Sequence, residues 1–171
     1  MLLARTGAMY HDVGKIKNPF FFTENQHGKY NLHDEMSYYE SSQIIINHVA
    51  DGIEICRKYH VPEQIIDFVR THHGTRRTEY FYQMELKENP GEEVNEADFR
   101  YHGPIPFSKE TAVLMMADSV EAASRSLSDK TEESISKLVD GIIDAQVKDN
   151  QFINTDLTFR DVTVIKKVFK K

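Results

Sequence analysis

Apolar residues recur at three- and four-residue intervals through most of the chain, the spacing of helices that bury one face. The pattern is clearest from Thr131 to Val147, where Ile135, Leu138, Val139, Ile142 and Ile143 share a face and Thr131 can cap the start. A longer helix is expected from about Asp34 to Lys58, carrying Ile44, Ile45, Val49, Ile53 and Cys56, with Asp34 as its cap or dipole partner. Val61-Pro62 opens the next, with proline in the first turn, and His72-His73-Gly74 ends it. Ser108 opens another that runs through Ala112, Met115, Met116 and Ala123 to about Leu127, and Thr158-x-x-Asp161 reads as a capping box for the last. Leu2, Leu3 and Ala8 begin a helical pattern at once. Strand-like alternation is scarce. These features predict an all-α bundle of about seven helices. Two long irregular loops interrupt it, Lys17 to Leu32 and roughly Asn89 to Phe107, and loops of that length in a compact domain often carry function.

With 171 residues, 40% of them hydrophobic, the chain can bury one substantial core, and a single domain over 1–171 is expected. The net charge of -6 argues against a DNA or RNA polymer as partner, because such binding needs a basic face that releases counterions. A small phosphate ligand held through metals is compatible with it. The single cysteine, Cys56, lies in a helical apolar pattern, so neither a disulfide scaffold nor a cysteine-rich zinc site is expected. A reducing, cytoplasmic setting fits. No stretch approaches the roughly 18 to 20 apolar residues of a membrane span.

The chemistry concentrates in four clusters. His11-Asp12 lies within Tyr10-His11-Asp12-Val13-Gly14-Lys15, and His48, the pair His72-His73, and Asp118 follow at helical positions. Imidazole and carboxylate donors suit Mn, Fe, Zn or Co, and a carboxylate shared between two such ions is a common way to build a hydrolytic pair. The bland alternatives are real. A lone mid-helix histidine such as His48 is ordinarily a hydrogen-bonded core or surface residue, and Asp118, in the apolar run Leu114-Met115-Met116-Ala117, could pair with Arg125 seven residues on. The order His-Asp, His, His-His, Asp favours metal over these readings. His33-Asp34 repeats the dipeptide but falls at an expected helix start, and His27, His60 and His102 fall in polar loops or ends.

The hexapeptide Tyr10 to Lys15 resembles the central motif of the HD-domain phosphohydrolase superfamily. The stretches HDVGKIKNPFFFTENQ, IIINHVADGIEICRKYHVP, THHGT, YFYQ, DFRYHGPIPFSKETAVLMMADSVEAASRSL and DLTFRDV resemble more narrowly the HD domain of the seven-transmembrane, PgpH-type proteins. That family consists of membrane-anchored enzymes that hydrolyse cyclic di-AMP to linear pApA with two metals, Mn or Fe. The resemblance implies that Asp12 bridges the metals, that His48, His72 and His73 complete one, that His11 and Asp118 bind the other, and that Lys15 contacts phosphate. The family pattern also has a histidine on the helix before the HD motif, and His11 is the first histidine here. Together with the abrupt helical start, this leads to the expectation of a fragment lacking an upstream helix and the membrane region, with one metal a protein ligand short.

An adenine-containing substrate needs stacking faces, and Phe20-Phe21-Phe22, Tyr80-Phe81-Tyr82 and Tyr101 flank the motifs. Tyr82 and Tyr101 are the candidates for substrate contact, with Arg125 as a phosphate contact or a partner of Asp118 or Glu121. Two rivals stand beside a cyclic-dinucleotide phosphodiesterase acting through a two-metal-activated hydroxide. One is an HD hydrolase of guanosine tetraphosphate or a deoxynucleoside triphosphate; the other is a non-catalytic nucleotide-binding sensor. The Asn18-to-Gln26 and Glu96-to-Phe107 segments resemble the membrane-anchored family, and the glycine-tyrosine-proline signature of cyclic di-GMP enzymes is absent.

Overall fold

The computed structural model describes residues 2–26 and 31–171; His27 lies outside them. Seven α-helices are present among the described residues: α1 Leu2–Tyr10, α2 Tyr38–Lys58, α3 Glu63–Thr71, α4 Glu79–Glu88, α5 Lys109–Ser124, α6 Glu132–Lys148 and α7 Phe159–Phe169. No strand forms there, and one isolated bridge joins Arg77 to Arg100. The all-α reading and both irregular stretches agree with this architecture, the described residues of the stretches forming short 3-10 turns such as Pro19–Phe21 and Glu96–Phe99. No helix among the described residues is long and apolar enough to cross a membrane.

Local capping sets most helix starts. Ser108 with Thr111 and Thr158 with Asp161 form capping boxes, and the Thr131 side chain accepts from the Ser134 amide. The start of α2 is a correction. Ser37, not Asp34, caps it through a capping box with Glu40, while Asp34 sits in a separate 3-10 turn and accepts from the Asn31 side chain. The α3 start shifts by one position, with Pro62 as the N-cap.

Two apolar clusters hold the bundle. Cys56, Ile66 and Val69 gather Val13, Ile53 and Val61 around the motif end, while Met116, Val139 and Ile143 join α5 and α6 to Val162, Ile165 and Phe169 of α7. The most buried stripe of α2 is more polar than its periodicity suggests, comprising Ser41, Ser42, His48, Gly52 and Cys56 besides Ile46. Small residues on that stripe let neighbours approach. A Cβ on Gly14 would lie 1.8 Å from the His48 carbonyl oxygen, so only glycine lets the HD turn seat directly on the α2 backbone at the level of His48.

Candidate metal centre and substrate cavity

Four helices bring the chemistry together. His11 and Asp12 follow the last turn of α1, His48 lies mid-α2, His72 and His73 follow α3, and Asp118 lies on α5. Adjacent residues on a helix point about 100° apart, but His11 and Asp12 lie in the turn that follows α1, where both reach one centre. Gly74, at φ +54, releases the chain after His73 in a conformation that side chains rarely adopt.

The six residues form two groups that share Asp12. Asp12, His48, His72 and His73 make one, and His11, Asp12 and Asp118 make the other, with the donor atoms of each within 4.8 Å of one another. Asp12 divides its oxygens between them: Oδ1 faces His48 Nε2 at 3.4 Å and His72 Nε2 at 3.5 Å, whereas Oδ2 faces His11 Nε2 at 3.3 Å and Lys15 Nζ at 2.8 Å. Asp118 reaches His11 Nε2 at 3.3 Å and His73 Nδ1 at 3.8 Å.

Three of the imidazoles are oriented identically. His11, His48 and His72 direct Nδ1 to the carbonyls of Ala8, Ile45 and Val69, each three residues earlier. A carbonyl only accepts, so Nδ1 carries the hydrogen and Nε2 of a neutral ring presents its lone pair to the centre. His48 and His72 Nε2 are 3.1 Å apart, and Asp12 Oδ1 beside them is buried with no hydrogen-bond partner. Lone pairs crowded at that separation fit a cation between them. The donor set therefore suits a divalent ion, and the second group suits another.

Protons compete for the same atoms. Burial drives the His72 imidazole below its usual range, and burial with His72 and His48 nearby drives His73 well below it, so both are neutral donors at physiological pH. Burial alone would lower His11, but hydrogen bonds to Asp118 and Asp12 outweigh it and raise this group to about 10. Asp12 goes far below the carboxylate range, because the imidazoles of His11, His48 and His72 outweigh its burial.

A cavity of about 980 Å³ opens over the cluster, and a groove of about 440 Å³ continues from it past His73, Tyr101 and Asp118. Phe21, Phe22, His33, Phe81 and Tyr101 wall the cavity. Tyr101 stacks on His73 with centroids 4.2 Å apart, and burial keeps its phenol protonated. Tyr82 is a correction. It lies against Arg77, 4.1 Å from centroid to guanidinium, and against Phe99, while its neighbours Tyr80 and Phe81 line the cavity. Of the partners expected for Arg125, the structure has Glu121 and not Asp118; Glu24 is a second, unforeseen one, and Arg125 borders the cavity. Lys15 bridges Asp12 and Glu24, the latter at 2.6 Å. Glu24 escaped the sequence reading because its link to Lys15 depends on the loop's path, as did the cavity position of His33, which joins neither ligand group. His60 and His102 join neither group either.

A helical bundle whose His-Asp turn meets a histidine pair and a distant aspartate defines a class, and sequence comparison agrees. The HD domain signature matches residues 1–123, and the chain belongs to the HD domain family. It is 47% identical over 166 residues to the cyclic-di-AMP phosphodiesterase PgpH of Bacillus subtilis (strain 168), and 43% identical over 165 residues to that of Listeria monocytogenes serotype 1/2a (strain 10403S). These matches cover 97% and 96% of this chain and 23% of each relative, so the chain spans about a quarter of their length. The crystal structure of the L. monocytogenes PgpH HD domain in complex with cyclic-di-AMP superposes with a TM-score of 0.94 at 42% identity, covering 99% of this chain and 78% of that one.

Proposed function

We propose that this domain is a metal-dependent phosphodiesterase that opens cyclic di-AMP to linear pApA. The observation that carries the reading is the division of Asp12, one oxygen to each donor group, over a cavity with aromatic walls. His48, His72 and His73 would hold one divalent ion with Asp12, and His11 and Asp118 the other, Mn or Fe being the preferred metals. Two such ions supply Lewis acidity toward the phosphate and lower the pKa of water near neutral pH.

The chain's own residues set the rest. The carbonyls of Ala8, Ile45 and Val69 fix the tautomers of three imidazoles, so these donors need no reorganisation. Lys15, held between Asp12 and Glu24, places a point charge at the rim where a non-bridging phosphate oxygen would sit. Phe81 and Tyr101 offer faces for adenine. In the parent protein we place the domain on the cytoplasmic side of a membrane anchor, as the resemblance to the membrane-anchored family implies.

Chromatography of cyclic di-AMP incubated with the Mn²⁺-loaded chain tests this. Accumulation of pApA, abolished by Asp12→Ala, supports it. An intact substrate with metal bound sends the reading to another phosphate ester or to a nucleotide sensor.

A further inference from the structure

Among the described residues, every lysine or arginine that is half-buried forms an ion pair, with one exception: Arg76. Its guanidinium donates from Nη1 to the Ser119 hydroxyl at 2.9 Å, its only hydrogen bond among the described residues. An arginine presents five N–H donors, so about four remain free. None is sealed in the interior, and Arg76 lines the groove that leaves the metal centre past His73, Tyr101 and Asp118.

The position is rigid. The Arg76 amide donates to the His73 carbonyl at 3.1 Å, and its carbonyl accepts from the Tyr101 amide at 2.9 Å. Ser119, which also accepts from Gln146 at 2.9 Å, fixes one edge of the guanidinium plane. The backbone is thus tied to a residue of the metal centre on one side and to a cavity wall on the other. In a chain of net charge -6, a fixed cation with no ion-pair partner, facing a groove whose lining is mostly apolar, is placed to meet an anion that enters it.

The geometry points to Arg76 as the anchor of a second phosphate subsite, in the groove, for the phosphodiester that is not being cleaved. This rests on the cyclic-dinucleotide reading, since only a ligand with two phosphates occupies the centre and the groove together. The Arg76 guanidinium forms no hydrogen bond or ion pair with the metal-donor side chains, so it contributes binding rather than chemistry.

The test compares two substrates. Losing a charge-assisted hydrogen bond weakens binding roughly 10- to 100-fold. Arg76→Gln is therefore expected to raise KM for cyclic di-AMP by that factor and to weaken its binding by calorimetry equally. The same variant leaves KM and kcat for bis(p-nitrophenyl) phosphate, which has a single phosphate, as in wild type; Arg76→Lys recovers part of the loss. An unchanged KM for cyclic di-AMP overturns the subsite, and so does an equal loss on both substrates, which would mark Arg76 as a prop for α5 through Ser119. If the wild-type chain cleaves only bis(p-nitrophenyl) phosphate, the dinucleotide reading fails by itself. The subsite is then judged by inhibition of that reaction: pApA outcompeting AMP in wild type but not in Arg76→Gln supports it, and equal inhibition by the two in wild type overturns it.

Discussion

The two donor groups around Asp12 are built differently. The His48-His72-His73 group holds three imidazoles, two of them buried, and burial keeps His72 and His73 neutral at physiological pH. The His11-Asp118 group has one imidazole and one further carboxylate, all half-buried, and Lys15 shares its Asp12 oxygen. Neutral donors in a closed pocket bind a cation without first losing protons, whereas the open group must displace a proton from His11 and tolerate a nearby ammonium. On the proposed two-metal reading, the first group is therefore expected to be the tight site and the second the exchangeable one.

Asp12→Ala removes the carboxylate common to both and has the largest effect, a loss of at least about 10³-fold in diester hydrolysis with the helical circular dichroism unchanged. Retained hydrolysis would mean that the two groups act independently. Gly14→Ala comes next. Its methyl meets the His48 carbonyl oxygen at 1.8 Å, so the HD turn must lift from α2, with a destabilisation of about 3 kcal/mol in urea unfolding and a loss of the tight site before the open one.

The pH dependence of the metal-free protein separates the groups by sign. His72 and His73 have folded pKa values below the ordinary 6.5, so the unfolded chain binds more protons under acid, and stability is lost as pH falls below 6.5. His11 has a folded pKa raised to about 10, so its contribution is complete below 6.5 and is lost as pH rises from 6.5 to about 10. Each proton is worth about 1.4 kcal/mol per pH unit within its window. Melting temperature against pH is expected to peak near 6.5, and a monotonic rise from pH 5 to 9 would contradict the opposition. The smallest effect concerns the cavity wall. Phe81→Ala is expected to raise KM for cyclic di-AMP roughly tenfold, whereas Tyr82→Phe, on the other side of α4, leaves it within about twofold of wild type.

That contrast marks where the sequence was legible. The motif residues could be read because their signals are local: a dipeptide at a helix end, a histidine pair before a glycine, hydroxyl caps three residues ahead of their partners. The all-α fold followed from periodicity for the same reason. Helix α4 gave no such signal, because Tyr80, Phe81, Tyr82, Met84 and Leu86 mark no single stripe and none is buried. Without a phase, Tyr82 could not be distinguished from Phe81, and the two point about 100° apart. Asp34 and Ser37 are both competent caps, and the Glu40 that completes a box with Ser37 decided between them. The i,i+4 pair of Arg125 with Glu121 was legible from spacing, whereas the reach of Glu24 to Lys15 and Arg125 and the groove position of Arg76 depend on tertiary packing, which no spacing encodes.

Metal content per chain tests the shared-carboxylate arrangement most directly. After loading with Mn²⁺ and desalting, the wild-type chain is expected to retain the tight ion and to titrate to two, Asp118→Ala to one, and His72→Ala to lose the tight ion. One ion at saturation in the wild type, or equal losses from Asp118→Ala and His72→Ala, would contradict two unequal sites bridged by Asp12.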